Sequence, residues 1–283
     1  MLEVPASLAW GPGLVGLALA LVVYGVALGQ YGFYLRAFPL DRRALKILVL
    51  FIFVLDTLHS YGLTAYYWLF LVSCHRVVSQ GCSLVVPWQT AMAGVCQYFT
   101  IFIVQSFYSH RLWIISGHNK SVTGAVLTTA FTQIVLGIWC VLTFIHAGSP
   151  SAARITLVTA SSAAGLSVIC DMVITSSIFF YLRPQRSGIK RLGTSVQQLI
   201  DVFVSTGLLT CLASLAVFIL LWVPDGQYWL PALTPMLCKC YANSLLAILN
   251  ARKSIRKDAM RTLELPTMST PTTESPSSSN SGQ

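Results

Sequence analysis

Seven long apolar stretches, separated by short polar segments, dominate the pattern along the chain. Each is long enough to cross the hydrocarbon core of a bilayer, which needs about 20 residues of α-helix. The pattern therefore predicts an all-α integral membrane protein, a seven-transmembrane helix bundle over residues 1–256. The predicted spans are Ala9–Leu35, Ala44–Val72, Pro87–Tyr108, Val122–His146, Thr156–Leu182, Val196–Val223 and Tyr228–Leu249.

The composition changes abruptly after the seventh span. The stretch from Thr262 to Gln283 is rich in Ser, Thr and Pro and has no apolar periodicity. Such segments bury too little apolar surface to fold. We predict a disordered cytoplasmic tail over residues 257–283, and a cytoplasmic partner is one of the expected contacts of this tail.

The overall composition excludes an ordinary soluble domain. Of the 283 residues, 55% are hydrophobic and 10% are charged, whereas soluble domains carry about 25% charged residues. The formal net charge of +9 would also fit a nucleic-acid-binding protein. The basic residues are grouped between apolar runs, however, so we predict contact with anionic lipid head groups and no nucleic-acid partner.

The positions of the basic residues predict an orientation. Fifteen of the 18 Lys and Arg residues follow the first, third, fifth and seventh spans, and the other side holds only Arg76 and Arg154. Cytoplasmic loops carry the excess of Lys and Arg, so the N-terminus is expected outside and the C-terminus in the cytoplasm. The N-terminus has no basic n-region, so we expect no cleaved signal peptide. The expected location is the plasma membrane or another membrane of the secretory pathway.

Tryptophan supports the same orientation independently. Six of the seven tryptophans lie near the predicted outer ends of the spans, where aromatic rings favour the membrane interface. These six are Trp10, Trp68, Trp88, Trp139, Trp222 and Trp229, and Trp113 lies on the inner side.

Two cysteines, Cys74 and Cys82, lie in the longest outer loop, where an oxidising compartment would allow a disulfide. Two free thiols explain the sequence equally well. The other six cysteines lie inside apolar runs and are expected to be packing residues. Gly25 and Gly29 form a small-xxx-small pair, which favours close helix packing.

Charged residues within the spans predict a polar site inside the membrane. Lys239 lies near the middle of the last span, and a charge at that depth costs at least about 2.5–3.5 kcal/mol, so it needs a partner or a water-filled cavity. Asp56 and Asp171 lie at similar depth, and we expect Asp56 to be the partner, with Asp171 second.

His59 and Asn243 complete the predicted site. His59 lies three residues after Asp56 on the same helical face, so the two form either a proton-relay or ligand-binding pair or a purely structural contact. Asn243 lies four residues after Lys239 and extends a polar stripe along the seventh helix.

The residues do not favour an enzyme. Catalytic zinc usually has three protein ligands, and only His59 lies deep in a span, so no metal site is predicted. We found no Gly-rich phosphate loop and no serine with a base and an orienting group. The third span has no carboxylate counter-ion for a retinal-type lysine. No catalytic residue and no cofactor is predicted.

Several short motifs resemble a known family. They are Asp56-Thr57-Leu58-His59, Gln105-Ser106-Phe107-Tyr108 with Arg111 and Trp113, Asp171 with Tyr181-Leu182 and Ser187-Gly188-Ile189-Lys190-Arg191, Thr206-Gly207-Leu208-Leu209-Thr210, and Lys239-x-Tyr241-x-Asn243 with Leu249-Asn250-Ala251-Arg252. Together they resemble fungal seven-span membrane proteins grouped under a domain of unknown function, over roughly Gly13 to Arg256. Ser205 stands where that pattern has Asn. The resemblance implies a membrane fold and no established activity.

The favoured function is a receptor-like or sensory membrane protein with a small-molecule ligand. The odd number of spans, the short loops, the polar centre and the basic tail are typical of such proteins. A small-solute or proton-coupled transporter using Asp56, His59, Asp171 and Lys239 is the alternative. A membrane enzyme has the least support.

The orientation can be tested by glycosylation. Asn119-Lys120-Ser121 is the only N-glycosylation sequon, and we expect it in the cytoplasm and therefore unmodified. A sequon engineered into a lengthened loop after Gly148 should be glycosylated, as seen by a mobility shift that a glycosidase removes. Modification of Asn119 in the full-length protein would reverse the predicted orientation.

Overall fold

The structure is a computed structural model that describes residues 6–73, 87–146, 150–182 and 190–264. Within this part of the chain, seven helices are long and apolar enough to cross a membrane, and there is no β-strand. The helices are α1 (Ala6–Ala37), α2 (Arg43–Trp68), α3 (Trp88–Ile115), α4 (Lys120–Ile145), α5 (Pro150–Leu182), α6 (Lys190–Leu220) and α7 (Leu230–Glu264). The predicted all-helical architecture with seven spans is confirmed.

Four helices extend well beyond the predicted spans, α5 and α6 at their beginnings and α3 and α7 at their ends. α3 runs to Ile115 and α7 to Glu264, so the first residues of the predicted disordered tail are helical. The apolar pattern marks the part of a helix that lies in the membrane, whereas Lys, Arg, Met and Leu continue the helix outside it. A short π-helical turn, Leu69–Ser73, extends α2, and a 3₁₀ turn, Gly226–Tyr228, precedes α7. Cys74, Cys82 and residues 265–283 lie outside the described residues.

The helices form a closed ring in chain order. Each packs against the next, and α1 packs against α7, while α3 also contacts α5 and α7. Consecutive helices run in opposite directions, so α1, α3, α5 and α7 all begin at one face of the bundle. We call this the N-terminal face and the opposite one the C-terminal face. The six tryptophans predicted to lie outside are all near the N-terminal face.

The contact between α1 and α7 depends on glycine and asparagine. A Cβ at Gly16 would lie 2.5 Å from the Cα of Ala232, so only glycine allows this approach. The Asn243 amide donates to the Val23 carbonyl at 3.3 Å, and the Asn250 amide donates to the Gln30 carbonyl at 2.9 Å. Both pairs are spaced seven residues apart, so the two parallel helices stay in register over two turns.

The predicted packing role of Gly25 and Gly29 is wrong. Both are exposed on the outer surface, and a Cβ at either would meet nothing within 4 Å. Small residues mark a contact only on the face that meets another helix. α7 contacts α1 at Val23 and Gln30, whereas Gly25 and Gly29 lie on an exposed face of α1.

Apolar side chains cover the outside of the bundle as well as its core. Large residues such as Val22, Ile47 and Phe131 are more than 60% exposed, a surface that suits lipid and would aggregate in water. In the core, Ile52, Val104, Leu245 and Leu249 are at most 1% exposed and fill the C-terminal half of the bundle.

The turn between α3 and α4 is built from residues that favour positive φ and helix capping. Gly117 and His118 have φ values of 66° and 70°, and Gly at such a position is a common way to end a helix. The Asn119 side chain then accepts from the backbone N–H groups of Ser121 and Val122, which caps α4.

An ion pair joins the α1–α2 loop to the end of α7 at the C-terminal face. Arg252 donates to both oxygens of Asp41, at 2.6 and 3.5 Å, and its guanidinium lies 4.5 Å from the ring centre of Phe38. Tyr34 also donates to Asp41, at 3.0 Å. Burial raises the pKa of Asp41, but the hydrogen bonds from Arg252 and Tyr34, with the positive charges of Arg252 and Lys46, outweigh it and hold the pKa below its usual value. We call Tyr34, Phe38, Asp41 and Arg252 the C-terminal latch.

The lowered pKa of Asp41 predicts a pH-dependent contribution to stability. The ionised Asp41 carboxyl stabilises the fold at every pH above its pKa in the unfolded protein, about 3.9. This stabilisation is lost as the pH falls through the lower pKa that Asp41 has in the folded protein. We expect Asp41→Asn to reduce the free energy of unfolding by about 1–2 kcal/mol at neutral pH. Thermal unfolding in detergent should show this difference at pH 7 and a smaller one near pH 3. An equal difference at both values would contradict the role of the ionised carboxyl.

Candidate functional site

Lys239 is fully buried, and all three of its donor positions are used. Its ammonium donates to Asp56 Oδ1 at 2.5 Å, to Ser60 Oγ at 2.6 Å and to the Asp56 backbone carbonyl at 2.9 Å. An ammonium has three donors and no acceptor, so this set satisfies it completely. Asp56 is the partner that the sequence analysis preferred, and the geometry places it there rather than Asp171.

Residues of α1 and α2 complete the surroundings of the ammonium. Nζ lies 5.0 Å from the ring centre of Tyr24, a distance at which a cation is attracted to the aromatic face. The Tyr24 hydroxyl in turn pairs with Thr57 Oγ1 at 2.9 Å. One cation on α7 is thus held by α2 through Asp56 and Ser60 and by α1 through Tyr24.

Two polar atoms beside this ion pair have no hydrogen-bond partner among the described residues. They are Asp56 Oδ2 and His59 Nδ1, both buried. Gln97 on α3 lies close to His59. Unsatisfied buried polar groups cost about 1–3 kcal/mol each, so a rearrangement that gave either atom a partner would be stabilising.

Asp56 and His59, together with Cys238 of α7, could be considered as metal ligands. Asp56, His59 and Cys238 each offer one donor atom, and the three atoms lie within 4.8 Å of one another. The sequence analysis predicted no metal site, because only one histidine, His59, lies deep in a span. The fold is what brings Cys238 to Asp56 and His59. However, the Lys239 ammonium already neutralises Asp56, so a divalent cation would be bound next to a fixed positive charge.

Asp171 lies in a separate network formed by α3, α5, α6 and α7. The Tyr241 hydroxyl donates to Asp171 Oδ2 at 2.5 Å, and the Gln105 amide donates to Oδ1 at 3.2 Å. Ser167 and Ser214 pair with the same tyrosine oxygen at 2.8 and 3.3 Å. This network is fully buried and none of these residues lines the large cavity described below.

The single polar site predicted from the sequence is therefore two sites on opposite sides of α7. Lys239 and Tyr241 are two residues apart, and successive helical residues are rotated by about 100°, so their side chains point in nearly opposite directions. Asp56, His59 and Lys239 belong to the first site, Asp171 belongs to the second, and Asn243 joins α7 to α1 beside the first. We call the first group, with Ser60 and Gln97, the ion-pair site.

A cavity of about 410 Å³ reaches the ion-pair site from the N-terminal face. Its walls come from the outer halves of α1, α2, α3 and α7, with Phe144 of α4. His59 and Gln97 are its deepest residues on α2 and α3, and Pro235 is the deepest on α7. Trp10, Tyr66 and Tyr67 lie nearer its mouth. The volume is within the range of about 300–1,000 Å³ that ligand pockets have.

Sequence reasoning missed several residues that form or border the ion-pair site. Ser60 lies four residues after Asp56 and therefore on the same face of α2, which could have identified it. Tyr24, Gln97 and Cys238 carried no such signal, since their part in the site depends on how α1, α3 and α7 are rotated in the bundle.

Comparison with known proteins gives a partial match. Residues 167–254 match the family described as "Family of unknown function (DUF6534)". This stretch covers the C-terminal half of α5, all of α6 and the membrane part of α7, so it includes Lys239 and Asp171 and excludes Asp56 and His59. No curated protein and no solved structure matches the chain. A fungal source and a resemblance extending to Gly13 stay predictions.

The ion pair predicts a strong coupling between two residues. Lys239→Met leaves the Asp56 carboxyl without its cation, and Asp56→Asn leaves the ammonium without its anion. Removing one partner of a buried pair typically costs about 3–5 kcal/mol, and removing both costs less than the sum. We expect the double variant to lose less stability than the two single variants lose together. Thermal unfolding of the three variants in detergent would measure this.

Asp171→Asn serves as the matched control for this cycle. It also removes a buried carboxyl, but from the Tyr241 network. Its loss should add to that of Lys239→Met, because the two residues share no hydrogen bond. Additive losses for Asp56 and Lys239 would show that the pair contributes no coupling energy.

Proposed function

We propose that this protein is a receptor-like membrane protein that binds a small molecule in the N-terminal cavity and senses it through the ion-pair site. The chain has the seven apolar helices of a multi-pass membrane protein. The observation that carries the proposal is that one side chain, His59, lines the cavity and also lies one turn from Asp56. A molecule that touches His59 therefore acts next to the charge pair between α2 and α7.

The ion pair couples a bound molecule to the position of α7. Asp56 and Lys239 are each buried and depend on one another, so a small displacement of either changes the energy of a buried charge. A ligand shifts a conformational equilibrium only through differential affinity for the two states. A ligand adjacent to the ion pair would bind two conformations with different affinities, because the geometry of the ion pair changes when α7 moves.

α7 extends from the cavity to the C-terminal face. Lys239 and Arg252 are 13 residues apart, which is about 20 Å along a helix. At the far end, Arg252 holds Asp41 in the C-terminal latch. Movement of α7 would therefore alter the latch and the helical residues that follow it. These residues are predicted to be cytoplasmic, so the affinity of a partner that binds there would depend on the position of α7.

The packing beneath the cavity favours sensing over an open passage. Ile52, Val104, Leu245 and Leu249 fill the bundle between the ion-pair site and the C-terminal face and are at most 1% exposed. Close-packed interiors respond by switching between discrete arrangements and not by continuous deformation.

Proton-coupled transport is the second candidate. It is favoured by three ionisable groups, Asp56, His59 and Lys239, that meet at mid-span depth with two unpartnered polar atoms. Ionisable residues inside membranes often mark proton pathways. A proton flux into proteoliposomes that is abolished by Asp56→Asn and retained by Asp171→Asn would favour this function over sensing.

Filling the cavity should change the C-terminal face without any ligand. Leu63 lines the cavity, so Leu63→Trp mimics occupancy, whereas Leu58 on the same helix is exposed to lipid, so Leu58→Trp is the control. Spin labels carried by unnatural amino acids at Lys120 and Lys253 would report the distance between α4 and α7 at that face. We expect Leu63→Trp to shift the distance by about 2 Å, the scale of helix movements in switching proteins.

The control variant should keep the wild-type distance distribution. If Leu63→Trp also keeps it while remaining folded, the cavity and the C-terminal face are not coupled and the receptor proposal is wrong. A shift of equal size in both variants would mean that the extra indole perturbs α2 in general.

A further inference from the structure

We infer that the N-terminal cavity takes a small, uncharged, amphipathic molecule, with a flat or branched apolar body and one hydrogen-bonding group that points toward His59 and Gln97. This inference rests on the proposed function and adds the chemical class of the ligand. It depends on three properties of the cavity: its charge, its walls and its neutral polar side chains.

The charge of the cavity excludes a charged ligand. None of the described residues that line it is Asp, Glu, Lys or Arg. The nearest charges, Lys239 and Asp56, are bonded to one another at 2.5 Å and are not among the lining residues. A carboxylate or ammonium in the cavity would have no fixed partner, and burying an unpaired charge is far more costly than burying a hydroxyl or carbonyl.

The walls suit a flat apolar body. Trp10, Tyr66, Tyr67 and Phe144 line the cavity, together with Leu63 and Pro231. Trp10 and Tyr66 lie with ring centres 6.4 Å apart and tilted by 41°, and Tyr66 meets Tyr67 edge-on at 5.2 Å. Aromatic rings arranged in this way present both faces and edges to a third ring or to a branched chain.

Neutral polar groups are placed at two depths. Gln97 and His59 are at the bottom of the cavity. Thr90 lies seven residues before Gln97 on the same face of α3 and lines the cavity nearer its mouth. Imidazole, amide and hydroxyl groups both donate and accept, so they match an alcohol, a carbonyl or an amide of the ligand.

Three probes of the same shape and different charge test this assignment. They are 2-phenylethanol, phenylacetate and the protonated form of 2-phenylethylamine. Binding to the full-length protein in lipid nanodiscs would be measured by saturation-transfer NMR, with Leu63→Trp as the blocked reference that subtracts partition into lipid. We expect specific binding of 2-phenylethanol that is at least about tenfold tighter than that of either charged probe.

Two glutamine variants identify the polar end of the site. Gln97→Leu removes one neutral hydrogen-bonding group from the bottom of the cavity and should weaken 2-phenylethanol binding about three- to tenfold. Gln133→Leu removes a buried glutamine on α4 that does not line the cavity, and it should leave binding unchanged.

Each other outcome contradicts the inference. Tighter binding of phenylacetate or of the ammonium probe would show that the cavity selects charge. Equal binding of all three, or no binding beyond that of Leu63→Trp, would show that it does not select an uncharged amphipathic molecule. The spin-label measurement uses no ligand, so it tests the proposed function separately whichever probe binds.

Discussion

A buried lysine is the constraint on which the rest of this bundle depends. An ammonium in the middle of a membrane span must be paired or hydrated, and Lys239 is paired with Asp56 and hydrogen-bonded to Ser60. These contacts require α2 and α7 to be adjacent and rotated so that both residues face inward. Tyr24 adds the same requirement for α1, since its ring lies 5.0 Å from the ammonium.

α7 consequently takes part in most of the hydrogen bonds and ion pairs that join the helices. On one side it carries Lys239, and on the other it carries Tyr241, whose hydroxyl holds Asp171 of α5. Asn243 and Asn250 bind carbonyls of α1, and Arg252 binds the α1–α2 loop. In a membrane, apolar packing alone gives little preference between helix rotations, so hydrogen bonds of this kind determine orientation. A displacement of α7 therefore affects every one of these contacts.

The cavity lies toward the N-terminal face because the side chains there fill the interior less completely than those toward the C-terminal face. Between the ion-pair site and the C-terminal face, aliphatic side chains such as Leu245 and Ile52 fill the interior. Toward the N-terminal face, rings and prolines leave a space that ends at His59. The cavity and the charge pair are thus adjacent, and a tightly packed layer separates both from the opposite face. The proposed function requires this arrangement, because occupancy of the cavity would have to reach that face by helix movement.

The sequence by itself determined the number of helices, their approximate spans, and the kinds of polar residue that lie within them. Each of these depends on local composition, because a span must be apolar and must satisfy its backbone within one helix. Helix rotation was not determined in this way, since Val22 and Phe131 face outward and Ile52 and Leu245 face inward with the same apolar character. Only the tertiary structure decided that Asp171 belongs to a different site from Lys239, that Gly16 and not Gly25 allows α1 to approach α7, and that a cavity ends at His59. These properties depend on which helices are neighbours and which faces meet, and a hydrophobic pattern in lipid carries little information about either.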